Sequence, residues 1–353
     1  MILAGGAGTR FWPASRRAVP KPFVPLLGDR TLLGDTLERL RLLAPARRTT
    51  VVSAEELAAA TRRALRAAPG TRLLLEPVAR NTAAAIAWAA AVALGRGDEG
   101  VIGVFPADHH IPEARAFAAA VREAARAAAD GERLVLIGIE PARPDTAYGY
   151  LRLAARGRRG VVPVARFVEK PDPARARRFV ADGSYLWNAG MVVARPERIL
   201  AETRALSPEV WDALGAALER IASGARLSRR ALAQAYRRVR ALSFDYAVLE
   251  RSRRVFALRS RFAWSDLGSW DALGTQIAAL DGNRVHSSAT PVTLDAERNV
   301  VWSSTDKTIA LLGVKDLLVI QTTDALLVCA NHRAQDVRKI VDELARRGRG
   351  DLL

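Results

Sequence analysis

The sequence predicts an α/β protein: a mostly parallel sheet covered by helices on both faces, followed by a small β-rich domain. Three observations carry this expectation. From Met1 to Trp270 short apolar runs alternate with helix-like stretches, the pattern of strands buried on both faces. After Asn283 the texture changes to short, closely spaced β-rich runs. The chain of 353 residues, half of them hydrophobic, is long enough to bury a large core and carry an appendage.

Met1–Leu3 reads as the end of a first strand. Next comes "AGGAGTRFWPASRRAVPKPF" (Ala4–Phe23), where Pro13, Pro20 and Pro22 interrupt any helical ladder. Further strands are predicted at "TVVSA" (Thr50–Ala54), "RLLLEP" (Arg72–Pro77), "VIGVFPAD" (Val101–Asp108), "LVLIGI" (Leu134–Ile139) and "MVVA" (Met191–Ala194). Helical runs at Thr82–Leu94 and Ala114–Ala129 fall between them. Past a boundary near Asp281–Asn283, "NVVWSS", "TIALLGV", "LLVIQTT" and "ALLVCA" form the β-rich part, and an amphipathic helix spans Ala334–Arg346. The expected domains are 1–280 and 283–353, the first of them Rossmann-like. In such sheets ligands sit beyond the carboxyl ends of the strands, so the residues just after each strand are the candidates.

A net charge of +17 invites a polyanionic partner. Only Lys21, Lys170, Lys307, Lys315 and Lys339 are lysines, however, and the remaining basic residues are arginines spread over helix faces such as Thr61–Ala68 and Arg220–Arg240. The charge is diffuse and no nucleic-acid module stands out, so no nucleic acid is expected. Cys329 is the only cysteine, which excludes an internal disulfide and fits a reducing, cytoplasmic setting. No apolar run reaches the ~18 residues of a membrane span, and the N-terminus lacks the layout of a signal peptide, so no membrane partner is expected.

The opening loop fails two nucleotide patterns. Counting a dinucleotide G-x-G-x-x-G from Gly6 puts Phe11 at the third glycine, and a Walker loop would need G-K-[ST] where Gly8 is followed by Thr9 and Arg10. What remains is a glycine-rich turn whose backbone N–H groups could approach a phosphate, with Arg10 and Lys21 as neutralising charges. The residues alone leave that reading level with a solvated loop carrying scattered basic side chains. For Arg16 and Arg17 they do not choose.

Taken together with later stretches, the loop closely resembles that of the sugar-1-phosphate nucleotidylyltransferases, G-G-x-G-T-R-L-x-P-x-S…P-K. Its Trp-Pro form is similar to the mannose-1-phosphate guanylyltransferase branch. "EPVARNTAAAIAWAA" (Glu76–Ala90), "FPADHHI" (Phe105–Ile111), "GIEPARPDTAYGYL" (Gly138–Leu151), "FVEKP" (Phe167–Pro171), "YLWNAGM" (Tyr185–Met191), "SFDYAVLE" (Ser243–Glu250) and "WSDLGSW" (Trp264–Trp270) resemble further family motifs in the family's order. "DALLVCANHRAQDVRKIVDEL" resembles its β-rich tail. Four departures are Pro22 for glutamine, Ala84 for proline, Ala147 for glycine and Phe244 for isoleucine. None removes a charge, though Ala147 bears on the shape of the sugar loop. The resemblance implies a GT-A-like nucleotidyltransferase domain and a β-helix-like tail.

It also implies a reaction: a sugar 1-phosphate oxygen attacks the α-phosphorus of a nucleoside triphosphate in line, and pyrophosphate leaves. The nucleophile is already an anion at neutral pH, so no general base is needed. The difficulty is that several negative charges must meet, which positioning, positive charge and a metal can answer. By resemblance Arg10, Lys21, Asp108 and Lys170 are the catalytic set, and Asp108 and Asp266 hold Mg2+. Gly5, Gly6, Gly8 and Thr9 wrap the triphosphate. Gly149, Glu169, Lys170 and Asn188 take the sugar and its phosphate. Glu76 is the candidate for base choice, because a carboxylate can accept the N1–H and N2–H donors of guanine together. Arg80, Asn81 and Thr82 are placed at base or ribose, with Asn81 and Thr82 equally readable as helix N-caps. Away from the resemblance, Asp108 and Asp266 read as turn or N-cap residues, and His109 and His110 make no zinc set.

The expected activity is GMP transfer from GTP to alpha-D-mannose 1-phosphate, giving GDP-mannose and pyrophosphate, in a homodimer. The alternatives are the same chemistry with glucose 1-phosphate and GTP or UTP, or a non-catalytic regulatory subunit that binds sugar nucleotides. Such a subunit would be expected to lose Arg10, Lys21 or the aspartates. Isomerase activity, found in fused relatives, is not expected.

Overall fold

A computed structural model describes residues 1–353 except Ala7, Glu99 and 156–159. The chain alternates as predicted through β1 (Ile2–Ala4), α1 (Leu32–Leu40), β2 (Thr50–Ala54), α2 (Ala58–Leu65), β3 (Arg72–Glu76), α3 (Asn81–Leu94), β4 (Ile102–Pro106), α4 (Ala114–Ala128) and β5 (Leu134–Ile139). It continues through β6 (Tyr150–Leu153), β7 (Val161–Val168), α5 (Pro173–Asp182) and β8 (Tyr185–Ala194). Three helices, α6 (Pro196–Leu206), α7 (Pro208–Ala222) and α8 (Arg229–Arg238), then lead to β9 (Val255–Ser260).

These strands form one sheet in the order β3-β2-β1-β4-β8-β5-β9-β7-β6. The run β3-β2-β1-β4 is parallel, as is β5–β9. The sheet as a whole is mixed rather than mostly parallel, because β8 runs antiparallel between β4 and β5, and β7 runs antiparallel to both β6 and β9. Apolar runs could not show this: β7 carries exposed Pro163 and Arg166, and β8 carries Asn188 and Gly190, so their alternation is broken in the sequence.

Helix α3 explains the alanine-rich stretch. Ala83 through Ala91 are all buried, so the helix is apolar all round and lies between the sheet and the pair α6 and α7. Among the described residues no helix is long and apolar enough to cross a membrane.

After α9 (Trp270–Gly274) come β10 (Ala279–Leu280), β11 (Asn283–His286), β12 (Val292–Leu294), β13 (Val300–Ser303), β14 (Ala310–Leu312), β15 (Leu317–Gln321), β16 (Leu326–Ala330) and α10 (Val337–Arg346). Strands β11, β13 and β15 stack in parallel register, Val285 on Val301 on Val319. Buried Asn299 donates from Nδ2 to Asn283 Oδ1 (2.9 Å) and to the Val314 carbonyl (3.0 Å), satisfying the turns between rungs. This unit does not hang free. Phe11, Trp12, Leu26, Trp270, Trp302, Leu318 and Ile320 form one core across both units. Indole N–H groups pin the opening segment: Trp302 to the Leu26 carbonyl (3.1 Å), Trp270 to Trp12 (3.0 Å) and Trp12 to Leu352 (2.9 Å).

Candidate active site

The C-terminal ends of β1, β2 and β3 open on a cavity of about 800 Å³. Gly5, Gly6, Glu76, Asn81, Thr82 and Arg17 line it. A Cβ on Gly5 or Gly6 would meet nothing within 4 Å, so backbone amides there are open to a ligand. Gly8 is different. Its φ is +58°, and a Cβ would lie 2.5 Å from Lys21 Cβ and 3.0 Å from Lys21 N. Glycine is needed there so that the second half of the loop can close over the first. Ala7, between them, lies outside the described residues, and Thr9 is exposed on the short turn Thr9–Phe11.

Lys21 is buried, and its Nζ donates to Asp108 Oδ2 (2.7 Å) and to the Asp266 carbonyl (2.6 Å). Two reciprocal backbone bonds bring the aspartates' loops together, His110 N to Ser265 O (2.9 Å) and Ser265 N to His110 O (3.0 Å). On the other side Tyr148 donates its hydroxyl to Asp266 Oδ1 at 2.9 Å. Burial, the largest influence, pushes Asp108 up; the Lys21 charge and its hydrogen bond lead the influences that outweigh it and hold Asp108 below the usual carboxylate value. His109 is pushed down to about 4, chiefly by burial. It is therefore neutral, and its Nδ1 accepts from Trp264 Nε1 at 3.1 Å.

The donors around Lys21 are thus hard oxygens with an ammonium already seated among them. Among the described residues no group of three or more His, Cys, Asp or Glu gathers as a metal cage. Two carboxylates completed by substrate phosphates and water suit Mg2+, which keeps several waters; they do not suit zinc. Asp108 and Asp266 fit the predicted metal on chemical grounds.

A second cluster adjoins the first through Tyr148 and Gly149, neighbours in sequence that face Asp266 and Glu169 respectively. A Cβ on Gly149 would come within 2.5 Å of Glu169 Oε2. Lys170 Nζ sits 2.9 Å from Glu169 Oε1. Asn188 donates from Nδ2 to Asp245 Oδ1 (2.9 Å), and its Oδ1 accepts the Gly190 N–H (3.1 Å). Burial, with the Glu169 charge adding to it, pushes Asp245 up to about 6. Gly149→Ala should therefore displace Glu169 and raise KM for the sugar phosphate more than KM for the nucleotide; equal changes in the two would refute that placement.

One predicted residue lands elsewhere. Arg80 is not on the cavity wall: it donates to the Tyr236 (Nε) and Arg237 (Nη2) carbonyls, both at 3.1 Å, at the end of α8. The placement at base or ribose is corrected accordingly, because its guanidinium is engaged in capping a helix. Arg16 pairs with Asp324 at 2.9 Å, whereas Arg17 reaches the cavity. Thr82 lines the cavity while its Oγ1 accepts the Phe244 N–H at 2.8 Å, outside α3, and Asn81 Oδ1 accepts the Thr82 N–H at 2.8 Å in the first turn of that helix.

Four residues were not singled out from the sequence. Tyr148 and Asp245 stand inside the motifs quoted above, so a signal was present. Arg39, buried, donates to the His109 and Ile111 carbonyls at 3.3 Å and braces the Asp108 loop, and Gln335 holds Arg10. Arg39 carries no local sequence signal, whereas Gln335 stands inside the tail stretch quoted above.

Residues 1–283 match the family described as nucleotidyl transferase, and the chain belongs to that family. Residues 290–344 match the MannoseP isomerase/GMP-like beta-helix domain. Among its relatives, the xanthan biosynthesis protein XanB of Xanthomonas campestris is 38% identical over 99% of this chain and 74% of its own. The mannose-1-phosphate guanylyltransferase RfbM of Salmonella typhimurium is 36% identical over 99% of this chain and 73% of its own. A crystal structure described as a mannose-1-phosphate geranyltransferase from Thermus thermophilus superposes with a TM-score of 0.87, at 37% identity, covering 98% of both chains.

Proposed function

We propose that this nucleotidyltransferase makes GDP-mannose and pyrophosphate from GTP and mannose 1-phosphate. The observation that carries the reading is the adjacency of two unlike sites at one sheet edge, with the Lys21, Asp108 and Asp266 cluster between them. One is a glycine-walled cavity with a buried carboxylate, the other a cluster of a carboxylate, an amide and a lysine. Relatives named for mannose 1-phosphate support the choice of sugar.

A sugar phosphate oxygen forms the new bond to the α-phosphorus as the bond to the pyrophosphate oxygen breaks; the electron pair leaves with pyrophosphate and no proton need move. The amides of Gly5 and Gly6 and the guanidinium of Arg10 hold the triphosphate. Lys21, with an N–H left beyond its two bonds, faces the α-phosphate. Lys170 orients the sugar phosphate, and Glu169 accepts sugar hydroxyls. Asp108 and Asp266 would hold Mg2+, which when bound draws charge from the phosphate oxygens. Direct support would be GDP-mannose and pyrophosphate formed in equal amounts; hydrolysis of GTP without sugar transfer would refute the reading.

Glu76 gives the base its signature. Its Oε1 is buried without a partner on the cavity wall. Burial pushes the carboxyl up to about 7, outweighing the lowering influence of the neighbouring Tyr236 hydroxyl. The ionised form is the one that accepts both guanine donors, so kcat/KM for GTP should rise with pH through about 7, and Glu76→Gln should flatten that limb and narrow the preference for GTP over ATP. An unchanged pH profile and base preference would remove Glu76 from the base site. A carboxyl raised in the folded state disfavours folding increasingly between its ordinary 4.5 and about 7. The ligand-free Gln variant should therefore gain up to about 3 kcal/mol above pH 7, and nothing below 4.5.

A further inference from the structure

Arg10 and Arg16 belong to one loop, yet the C-terminal unit treats them differently. Arg16 Nη2 meets a carboxylate, Asp324 Oδ1, at 2.9 Å. Arg10 Nη1 donates instead to a neutral amide oxygen, Gln335 Oε1, at 2.9 Å, across 325 positions of sequence. Gln335 lies in the turn Asn331–Asp336 that leads into α10.

The orientation of that amide is determined by its partners. Arginine is a donor only, so it must face the oxygen. The nitrogen then donates to Ser269 Oγ at 2.9 Å, and the Ser269 hydroxyl is itself committed as a donor to the Asp271 carboxylate. Every group in the relay has one consistent role, and its far end is in the segment that carries Asp266. A glutamate at 335 would hold Arg10 at least as firmly, but it would cancel the positive charge.

We propose that Gln335 is a positioning residue of the active site: it ties Arg10 to the Asp266 segment while leaving the guanidinium's charge uncompensated for the triphosphate. The proposal rests on the reading of Arg10 as a triphosphate ligand. It gives the C-terminal unit a part in turnover through one hydrogen bond.

Gln335→Glu separates positioning from mere structure. Its tie to Arg10 becomes an ion pair while its bond to Ser269 Oγ is lost, so Tm should change little, while kcat/KM for GTP falls about 10–100-fold and KM for mannose 1-phosphate changes little. Gln335→Met, which loses the tie but spares the charge, should cost about tenfold or less. In an Arg10→Met background the Glu substitution should have no further effect, because its target is gone. Asp324→Asn serves as the control, lowering Tm with a much smaller loss of rate than Gln335→Glu. Wild-type kcat/KM in Gln335→Glu, with Arg10→Met impaired, would overturn the role of Gln335 and keep that of Arg10. Full activity in Arg10→Met would overturn the reading of Arg10 and this inference with it.

Discussion

Asp108→Asn is expected to lower kcat by about 10²-fold or more, with the fold retained. The substitution keeps shape and one acceptor oxygen, so Lys21 still has a partner for its Nζ. It removes the charge that faces Lys21 just past the end of β4 and, on the proposed reading, helps to hold Mg2+. The optimum Mg2+ concentration should rise at the same time, because half of the carboxylate pair is gone. Pyrophosphate release measured against Mg2+ concentration reads both effects, and circular dichroism confirms the fold. Near-normal turnover at low Mg2+ would refute the assignment. The ion pair also has a pH signature: Asp108 is held below its ordinary 3.8, so its stabilising share is complete above that value and is lost as pH falls further. Asp108→Asn should lack that acid limb.

Gly8→Ala should have the second large effect, by geometry rather than charge. Its φ of +58° disfavours alanine by about 1–2 kcal/mol. The added methyl must also push against Lys21 Cβ at 2.5 Å, and against backbone at 3.0 Å, neither of which is the far end of a flexible side chain. A stability loss of about 2–4 kcal/mol is expected. Because the contact is Lys21 itself, kcat should fall about 10²-fold even in protein that remains folded. Gly5→Ala is the comparison. It meets nothing within 4 Å, so Tm should barely move while KM for GTP rises. Similar behaviour of the two variants would refute the distinction between a glycine that admits Lys21 and one that admits phosphate.

What the sequence makes legible here is what lies contiguous after a strand. Gly5 and Asp108 follow β1 and β4, Glu76 ends β3, and the parallel register of those strands brings the three to one edge. The antiparallel half is less readable. Strands β7 and β9 carry Arg166 and Arg259 within apolar runs, and β8 has Asn188 in its middle, so periodicity alone underestimates them. Arg80 is misplaced for a related reason: it neighbours the cavity residues in sequence, but the chain turns at Asn81, whose φ is +65°, and sends Arg80 to α8. Arg39 and Gln335 depend on contacts that only the folded chain brings together.

Pyrophosphate release across a grid of nucleoside triphosphates and hexose 1-phosphates in Mg2+ separates the proposed function from its rivals. One dominant combination is expected, GTP with mannose 1-phosphate. Dominance of UTP or of glucose 1-phosphate would contradict the substrate assignment while keeping the chemistry. A blank grid from folded protein that still binds GTP would contradict the enzyme reading itself.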